Sequence, residues 1–139
     1  MEVVDNGPAP FVGEIERLTE DNANYRTTLW TGARLQVTLM SIEPGHDIGL
    51  EVHPNTDQFL RIEAGKAKVE MGPTETELQA WEAEDGYAVI VPAGTWHNLT
   101  SVGDEPMKVY SIYAPVQHPH GTVHVTKEDA DADEENELN

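Results

Sequence analysis

Three side chains able to bind a divalent metal lie close together in the segment EVHPNTDQ at residues 51–58. Glu51 and His53 are two positions apart, so on a strand both side chains point to the same face and form half of a chelate. Gln58 comes five positions after His53, which would place it on the opposite face of an unbroken strand. Because Pro54 opens a group of turn-forming residues, we predict a hairpin that returns Gln58 to the face of Glu51 and His53.

The elements that must position these side chains are short segments with alternating apolar residues. They are YRTTLW, RLQVTLMSI, AKVEM, YAVIV, TWHNL and MKVYSIYAP, and turn residues separate them. The first two are predicted to form a hairpin, and YAVIV is apolar enough to predict a strand buried on both faces. EIERLTED permits one short helical turn. This pattern is typical of an all-β sandwich or barrel.

Composition excludes several classes of function. The 139 residues include 26 acidic and 8 basic side chains, and the formal charge of −18 argues against nucleic acid and anionic membranes as partners. Cysteine is absent, so disulfides and thiolate metal sites are excluded. The opening segment lacks the features of a signal peptide, and we expect a cytoplasmic protein. The acidity suits either a salt-rich, halophilic cytoplasm or an ordinary acidic protein.

Two sets of spacings in the chain resemble the two motifs of the cupin superfamily. The slots of the first motif correspond to Gly45, Glu51, His53, Gln58 and Gly65, and those of the second to Gly86, Pro92, Gly94 and His97. Ser101 stands where the second motif has asparagine. The resemblance covers Tyr25 to Pro115 and looks closest to small cupins labelled mannose-6-phosphate isomerase-like. It implies an all-β, double-stranded β-helix, the jelly-roll cupin barrel.

The resemblance also implies a metal site. Glu51, His53, Gln58 and His97 occupy the four ligand positions, with Glu51 in place of the usual first histidine and Gln58 in place of the usual glutamate. Two imidazoles, one carboxylate and one amide oxygen suit one divalent ion, and Zn, Mn, Fe, Co and Ni all remain open. The alternative is a barrel without metal, in which Glu51 and Gln58 hydrogen-bond within a polar pocket.

Other residues are candidates for the pocket around this site. They are His46, Leu60, Trp96, Leu99 and Tyr113, and each has simple packing as its alternative. Alternation from Gln58 points Arg61 away from the metal. A sugar phosphate would need a cation, and Arg26, Arg34 and Lys108 are candidates that are more often surface residues. QHPHGTVH is interpreted as a structural loop rather than a second metal cluster.

The chain is predicted to be one domain with two extended ends. We expect a flexible N-terminal arm at 1–24, the cupin domain at 25–115, a C-terminal loop packing on the barrel at 116–126, and a disordered acidic tail at 127–139. Phe59, Arg61 and YAVIV need cover on the outer sheet face, and the usual cover in this family is a second subunit. A homodimer is therefore expected.

These features predict a metal-binding cupin that acts on or binds a small sugar-like or polyol ligand. The resemblance suggests sugar or sugar-phosphate isomerisation, with the metal as a Lewis acid. A non-catalytic module that binds a small molecule or a partner protein is the main alternative. A metal-dependent dioxygenase is a further alternative, which requires a redox-active metal.

Overall fold

The computed structural model describes residues 5–137. Over this range, two helices and nine strands follow one another. In order they are α1 (Ile15–Asp21), β1 (Arg26–Thr31), β2 (Gln36–Ile42), β3 (Asp57–Ala64), β4 (Lys66–Thr74), β5 (Glu77–Glu84), β6 (Ala88–Val91), β7 (Trp96–Ser101), β8 (Met107–Ala114), β9 (Val123–His124) and α2 (Lys127–Glu137). Within these residues, neither helix has the length and apolar character needed to span a membrane.

The strands form two antiparallel sheets. The larger sheet has the order β6-β3-β8-β2-β1-β9, and the smaller sheet has the order β5-β4-β7. The β1–β2 hairpin is confirmed, and so is the all-β jelly-roll class. Consecutive strands such as β3 and β4, β5 and β6, and β7 and β8 lie in different sheets, so the chain passes repeatedly from one sheet to the other.

The hydrophobic core lies between the two sheets. Register places Met40, Val109 and Ile62 level with one another on β2, β8 and β3, and all three are buried. Val69 and Leu99 face them from the smaller sheet. Because alternate residues of each strand point inward, every second position fills the core. Complete burial of each such side chain contributes roughly 1.5–3 kcal/mol.

The outer face of the larger sheet is only partly covered. β6 alternates between buried and exposed residues, and Ile90 is 63% exposed. The prediction that YAVIV is buried on both faces is therefore wrong, because β6 is an edge strand whose Ala88 and Ile90 are exposed. Arg61 also lies on this outer face, where its Nε is 2.8 Å from Glu63 Oε1. It points away from the barrel interior, as alternation predicts.

The segment from Gly45 to Thr56 does not form the predicted hairpin with β3. Its first half pairs instead with β7, through bonds from the Gly45 amide to the Ser101 carbonyl and from the Ile48 amide to the Leu99 carbonyl. The chain then crosses to the larger sheet, where β3 pairs with β6 and β8. Counting alternate residues along one strand does not predict this arrangement. The segment before Glu51 pairs with the smaller sheet, whereas Gln58 belongs to the larger sheet.

Of the arm expected at 1–24, residues 5–24 are integrated into the fold by hydrogen bonds and by helix α1, and residues 1–4 lie outside the described residues. The Asp5 carboxylate is buried and accepts hydrogen bonds from the amides of Gly7, Thr31 and Gly121. The short helix α1 packs against β8, β3 and β2. Gly and Pro at 7–13 indicate an irregular backbone, and that backbone is held by hydrogen bonds that the sequence pattern does not show.

Of the disordered tail expected at 127–139, residues 127–137 form helix α2, and residues 138–139 lie outside the described residues. Thr126 and Asp129 cap the helix reciprocally, with each side chain accepting from the other's amide at 3.2–3.3 Å. Glu128 and Asp129 lie in its first turn, where negative charge is favourable. Ala130 is buried in the core cluster beside Tyr25 and Ile48. The acidic composition of this segment does not reveal the apolar contact of Ala130 or the cap formed by Thr126 and Asp129.

Candidate metal centre

Glu51, His53 and His97 converge at one end of the barrel. One ligand atom from each lies within 4.8 Å of the other two. The crossing segment is tied to β7 at this point, because the Glu51 amide donates to the His97 carbonyl and the His97 amide donates to the Glu51 carbonyl. This pair of backbone bonds positions a carboxylate from one segment against an imidazole from another.

The imidazole of His97 is held in one orientation. Its Nδ1 lies 3.0 Å from the Thr95 carbonyl oxygen, which can only accept, so Nδ1 carries the proton. His97 Nε2 then faces Glu51 Oε1 at 3.6 Å, and His53 Nε2 faces the same oxygen at 3.3 Å. An imidazole fixed through its other nitrogen is the usual arrangement of a metal-ligating histidine.

The buried donor atoms at this point lack other partners. His53 Nε2, His97 Nε2 and Gln58 Oε1 are all buried without a hydrogen bond among the described residues. Burial alone would raise the pKa of Glu51, but the two adjacent imidazoles outweigh it and hold that pKa well below its usual range. An ionised carboxylate and unpaired donors converging on one point fit a divalent cation.

Gln58 lies on the inner face of β3, next to this cluster. It pairs in register with Tyr113 on β8, and the Tyr113 ring meets the His53 ring edge-on at 6.0 Å between centroids. Its Nε2 donates to the Ser111 hydroxyl at 3.3 Å, which leaves Oε1 as the unpaired atom. That orientation suits a ligand role, because the oxygen is the coordinating atom of an amide.

The other pocket candidates divide into three groups. Tyr113 contacts His53 and is part of the polar interior. Leu60 and Leu99 are fully buried members of the core cluster. Trp96 lies on the face of β7 opposite His97, and His46 is exposed and pairs near Ser101, at the far end from Glu51. Strand parity and the crossing segment turn Trp96 and His46 away from the cluster, and their assignment to the pocket stays a prediction.

Two interior residues were not identified from the sequence as part of the pocket. Arg26 was judged a surface residue, yet it is only 3% exposed and level with Met40 on the inner face. His118 was assigned to a loop, yet it is buried and its ring meets that of Tyr113 edge-on at 5.3 Å. Burial, followed by the Arg26 charge, lowers the pKa of His118 to about 3. Of these two residues, only Arg26 could have been recognised as interior, from its position in the strand register.

Comparison with known proteins identifies the family. The profile of the cupin domain matches residues 38–113, more than half of the chain and the part that contains the whole cluster. The chain belongs to the cupin family. Among similar proteins, the uncharacterised Bacillus subtilis protein YrkC is 56% identical over 132 residues, which cover 94% of this chain and 71% of YrkC.

Solved cupin structures match the fold. A crystal structure from Bacillus halodurans has a TM-score of 0.93 and 57% identity, and the match covers 94% of this chain and 99% of that one. The oxalate decarboxylase OxdC of Bacillus subtilis is 25% identical over 93 residues, 67% of this chain but only 23% of the enzyme. Its structure with Mn(II) centres has a TM-score of 0.57 and 24% identity, over 62% of this chain and 23% of that one, and shows likeness of fold.

Proposed function

We propose that this cupin binds one divalent metal through Glu51, His53, His97 and Gln58, and acts on a small oxygen-rich molecule at that metal. One observation carries the proposal: the Glu51 carboxylate and the unpartnered imidazole nitrogens of His53 and His97 lie within 4.8 Å of one another inside the barrel. Leaving those donors without partners would cost roughly 1–3 kcal/mol each. A metal ion removes that cost.

The donor set favours a hard or borderline ion. Carboxylate and amide oxygens suit Mn, while the two imidazoles also suit Zn, Fe, Co and Ni. The Mn(II) centres of oxalate decarboxylase, a cupin relative, make Mn the first ion to test. Four protein ligands leave coordination positions for a hydroxyl, carbonyl or carboxylate oxygen.

The metal would supply Lewis-acid polarisation of a bound oxygen. The chain's own residues prepare the site for it. The Thr95 carbonyl holds the proton on His97 Nδ1, and the edge of Tyr113 restricts the His53 ring. Leu60 and Leu99, each two residues along its strand from Gln58 or His97, are fully buried in the hydrophobic core. Ligands held in this way need little rearrangement when the ion and the substrate enter.

Within this class, we propose a sugar-like or polyol substrate in a cytoplasmic enzyme, with isomerisation as the reaction to test first. The support is the spacing of the motifs and the open positions that vicinal oxygens could occupy. A panel of aldoses, ketoses and their phosphates, assayed with the metal-loaded protein, tests this reaction. Thermal stabilisation by one of them without turnover would favour a binding module instead.

The metal itself is tested by elemental analysis of protein purified without chelator and reconstituted with Mn or Zn. We expect one equivalent in the wild type and in His46→Ala, whose histidine is exposed at the far end of the crossing segment. His53→Ala should lose most of the metal. Less than half an equivalent in the reconstituted wild type, or equal metal in His53→Ala, would refute the proposal.

A further inference from the structure

Helix α2 reaches over the crossing segment, which carries Glu51 and His53. A methyl group placed on Gly49 would lie 3.9 Å from Lys127 Nζ, so the first residue of the helix lies over this glycine. The Lys127 ammonium is itself paired with the Asp131 carboxylate at 3.1 Å, four residues further along the helix. The contact between α2 and the crossing segment is therefore two residues from the carboxylate ligand in the chain.

Tyr25 joins the chain leading into α2 to the same segment. Its amide donates to the Val125 carbonyl at 3.1 Å, two residues before the helix begins. Its hydroxyl donates to the Ile48 carbonyl at 3.4 Å. Tyr25, Ile48 and Ala130 are all buried members of the hydrophobic core cluster, in which Ala130 is the contribution of α2. The helix and the crossing segment are thus held by one shared set of contacts.

A second anchor of α2 is the Asp133 carboxylate, which approaches a buried cation through one imidazole. His124 Nε2 lies 2.7 Å from Asp133 Oδ2. Its Nδ1 lies 3.1 Å from Arg26 Nη1, and the guanidinium also lies over the Tyr25 ring at 5.4 Å. Because a guanidinium only donates, His124 accepts at Nδ1 and donates from Nε2 to the carboxylate. Undocking of α2 would remove this carboxylate from a buried charge, which is unfavourable.

The crossing segment depends on these contacts because it is not part of a continuous ladder. Among the described residues it forms isolated bridges to β7 and no strand of its own before β3 begins. Gly45 and Gly49 have φ angles of 85° and 90°, a conformation that glycine adopts without strain. β7 holds the segment on one side, and Tyr25 and α2 hold it on the other.

The helix itself is held by few contacts. Within residues 127–133, only Ala130 is buried. The helical sequence KEDADADEENE has seven acidic residues and one lysine, and Asp129 and Asp133 are like charges four positions apart. Salt screens repulsion between exposed charges, so docking of α2 should strengthen as ionic strength rises.

We propose that α2 is a strap that controls release of the metal. When it is docked, it holds the crossing segment against β7 with Glu51 and His53 in place, and when it is undocked, that segment is free to move away from β7. The two states differ in whether Ala130 lies in the core and Asp133 lies against His124, and salt favours the docked state. The inference rests on the proposed function, because it concerns the metal that the crossing segment would hold. Undocking should speed metal release without abolishing binding, since the ligands remain in the chain.

Chelator-driven release of metal from the full chain tests the strap, with Mn or Zn as the probe, whichever the reconstituted wild type retains. The variant is Ala130→Asp, and the matched control is Ala132→Asp, which adds the same charge at an exposed position of the same helix. Ala130→Asp should release the metal at least about 10-fold faster than the wild type, and Ala132→Asp less than about 3-fold faster. The ratio of the Ala130→Asp rate to the wild-type rate should rise between about 0.1 M and about 1 M KCl, because salt tightens docking only where the helix can dock.

Hydrogen exchange of the wild type is a second measurement that needs no variant. Coupling between two sites is reciprocal, so loading with Mn or Zn should slow the exchange of α2 amides by a similar factor, about 10-fold. Helix α1, which packs on β8, β3 and β2, is the control segment and should change less than about 2-fold. Equal release from the two variants, or α2 exchange that the metal leaves unchanged, would overturn this inference and leave the proposed function standing. A wild type that takes up neither Mn nor Zn would instead refute the proposed function.

Discussion

Asp5 provides a sharp test of how the N-terminal residues are held. Its Oδ2 accepts from the Thr31 hydroxyl at 2.6 Å and the Gly121 amide at 3.0 Å, and its Oδ1 accepts from the amides of Thr31 and Gly7, both at 2.9 Å. One buried carboxylate thus joins the N-terminal segment, β1 and the C-terminal loop. Asp5→Ala removes four acceptor contacts and leaves backbone amides without partners.

The expected loss follows from these bonds. Each unsatisfied buried donor costs about 1–3 kcal/mol, and part of the cost is relieved by water, so Asp5→Ala should lower the free energy of unfolding by about 3–5 kcal/mol. Asp5→Asn keeps Oδ1 but faces the Gly121 amide with an amino group, and should cost about 2 kcal/mol. Asp104→Asn, at an exposed loop position, is the control and should change stability by less than about 0.5 kcal/mol.

Urea unfolding followed by circular dichroism at pH 7 measures these differences at constant slope. Burial raises the pKa of Asp5, but its hydrogen bonds outweigh burial and the folded-state pKa is lowered. The stabilisation is therefore complete above the unfolded value of about 3.9 and is lost as pH falls through the folded pKa. The gap between wild type and Asp5→Asn should shrink below pH 4. A loss under 1 kcal/mol in Asp5→Ala would refute the account of the N-terminal segment.

Three further predictions follow from burial and exposure. The pKa of His118 is lowered to about 3, so its imidazole stays neutral in the folded state while the unfolded state gains a proton below about pH 6.5. The free energy of unfolding of the wild type should therefore fall by about 2 kcal/mol between pH 7 and pH 5. In urea unfolding, His118→Phe should lose this part of the pH dependence. Ala130→Asp places a charge in the core cluster, so the amides of 127–137 should exchange at least about 10-fold faster with deuterium, whereas unchanged exchange would show that α2 is held by other contacts. We propose that the outer face of β6 is covered by a second subunit, so light scattering should give a dimer mass for the wild type and a lower mass for Ile90→Lys; a monomeric wild type would end that proposal.

The sequence determined the strands, the turns between them and the identity of the converging ligands. Alternation and turn residues are local properties, so β1, β2, β4, β7 and β8 could be placed from them. The spacing of Glu51, His53 and His97 relative to glycine and proline predicted a cluster that the structure brings together. Alternation along β3 likewise placed Arg61 outside.

Only the tertiary structure decided which segments meet. The crossing of the chain between sheets, rather than a hairpin, brings Glu51 against β7, and it turns His46 away from the cluster. The burial of Arg26 depends on β2 beside it and on His124, 98 positions later in the chain. Long-range pairing sets which side of a strand is covered and which charge is buried. Composition cannot show this, because the same arginine is stable on a surface and costly in a core.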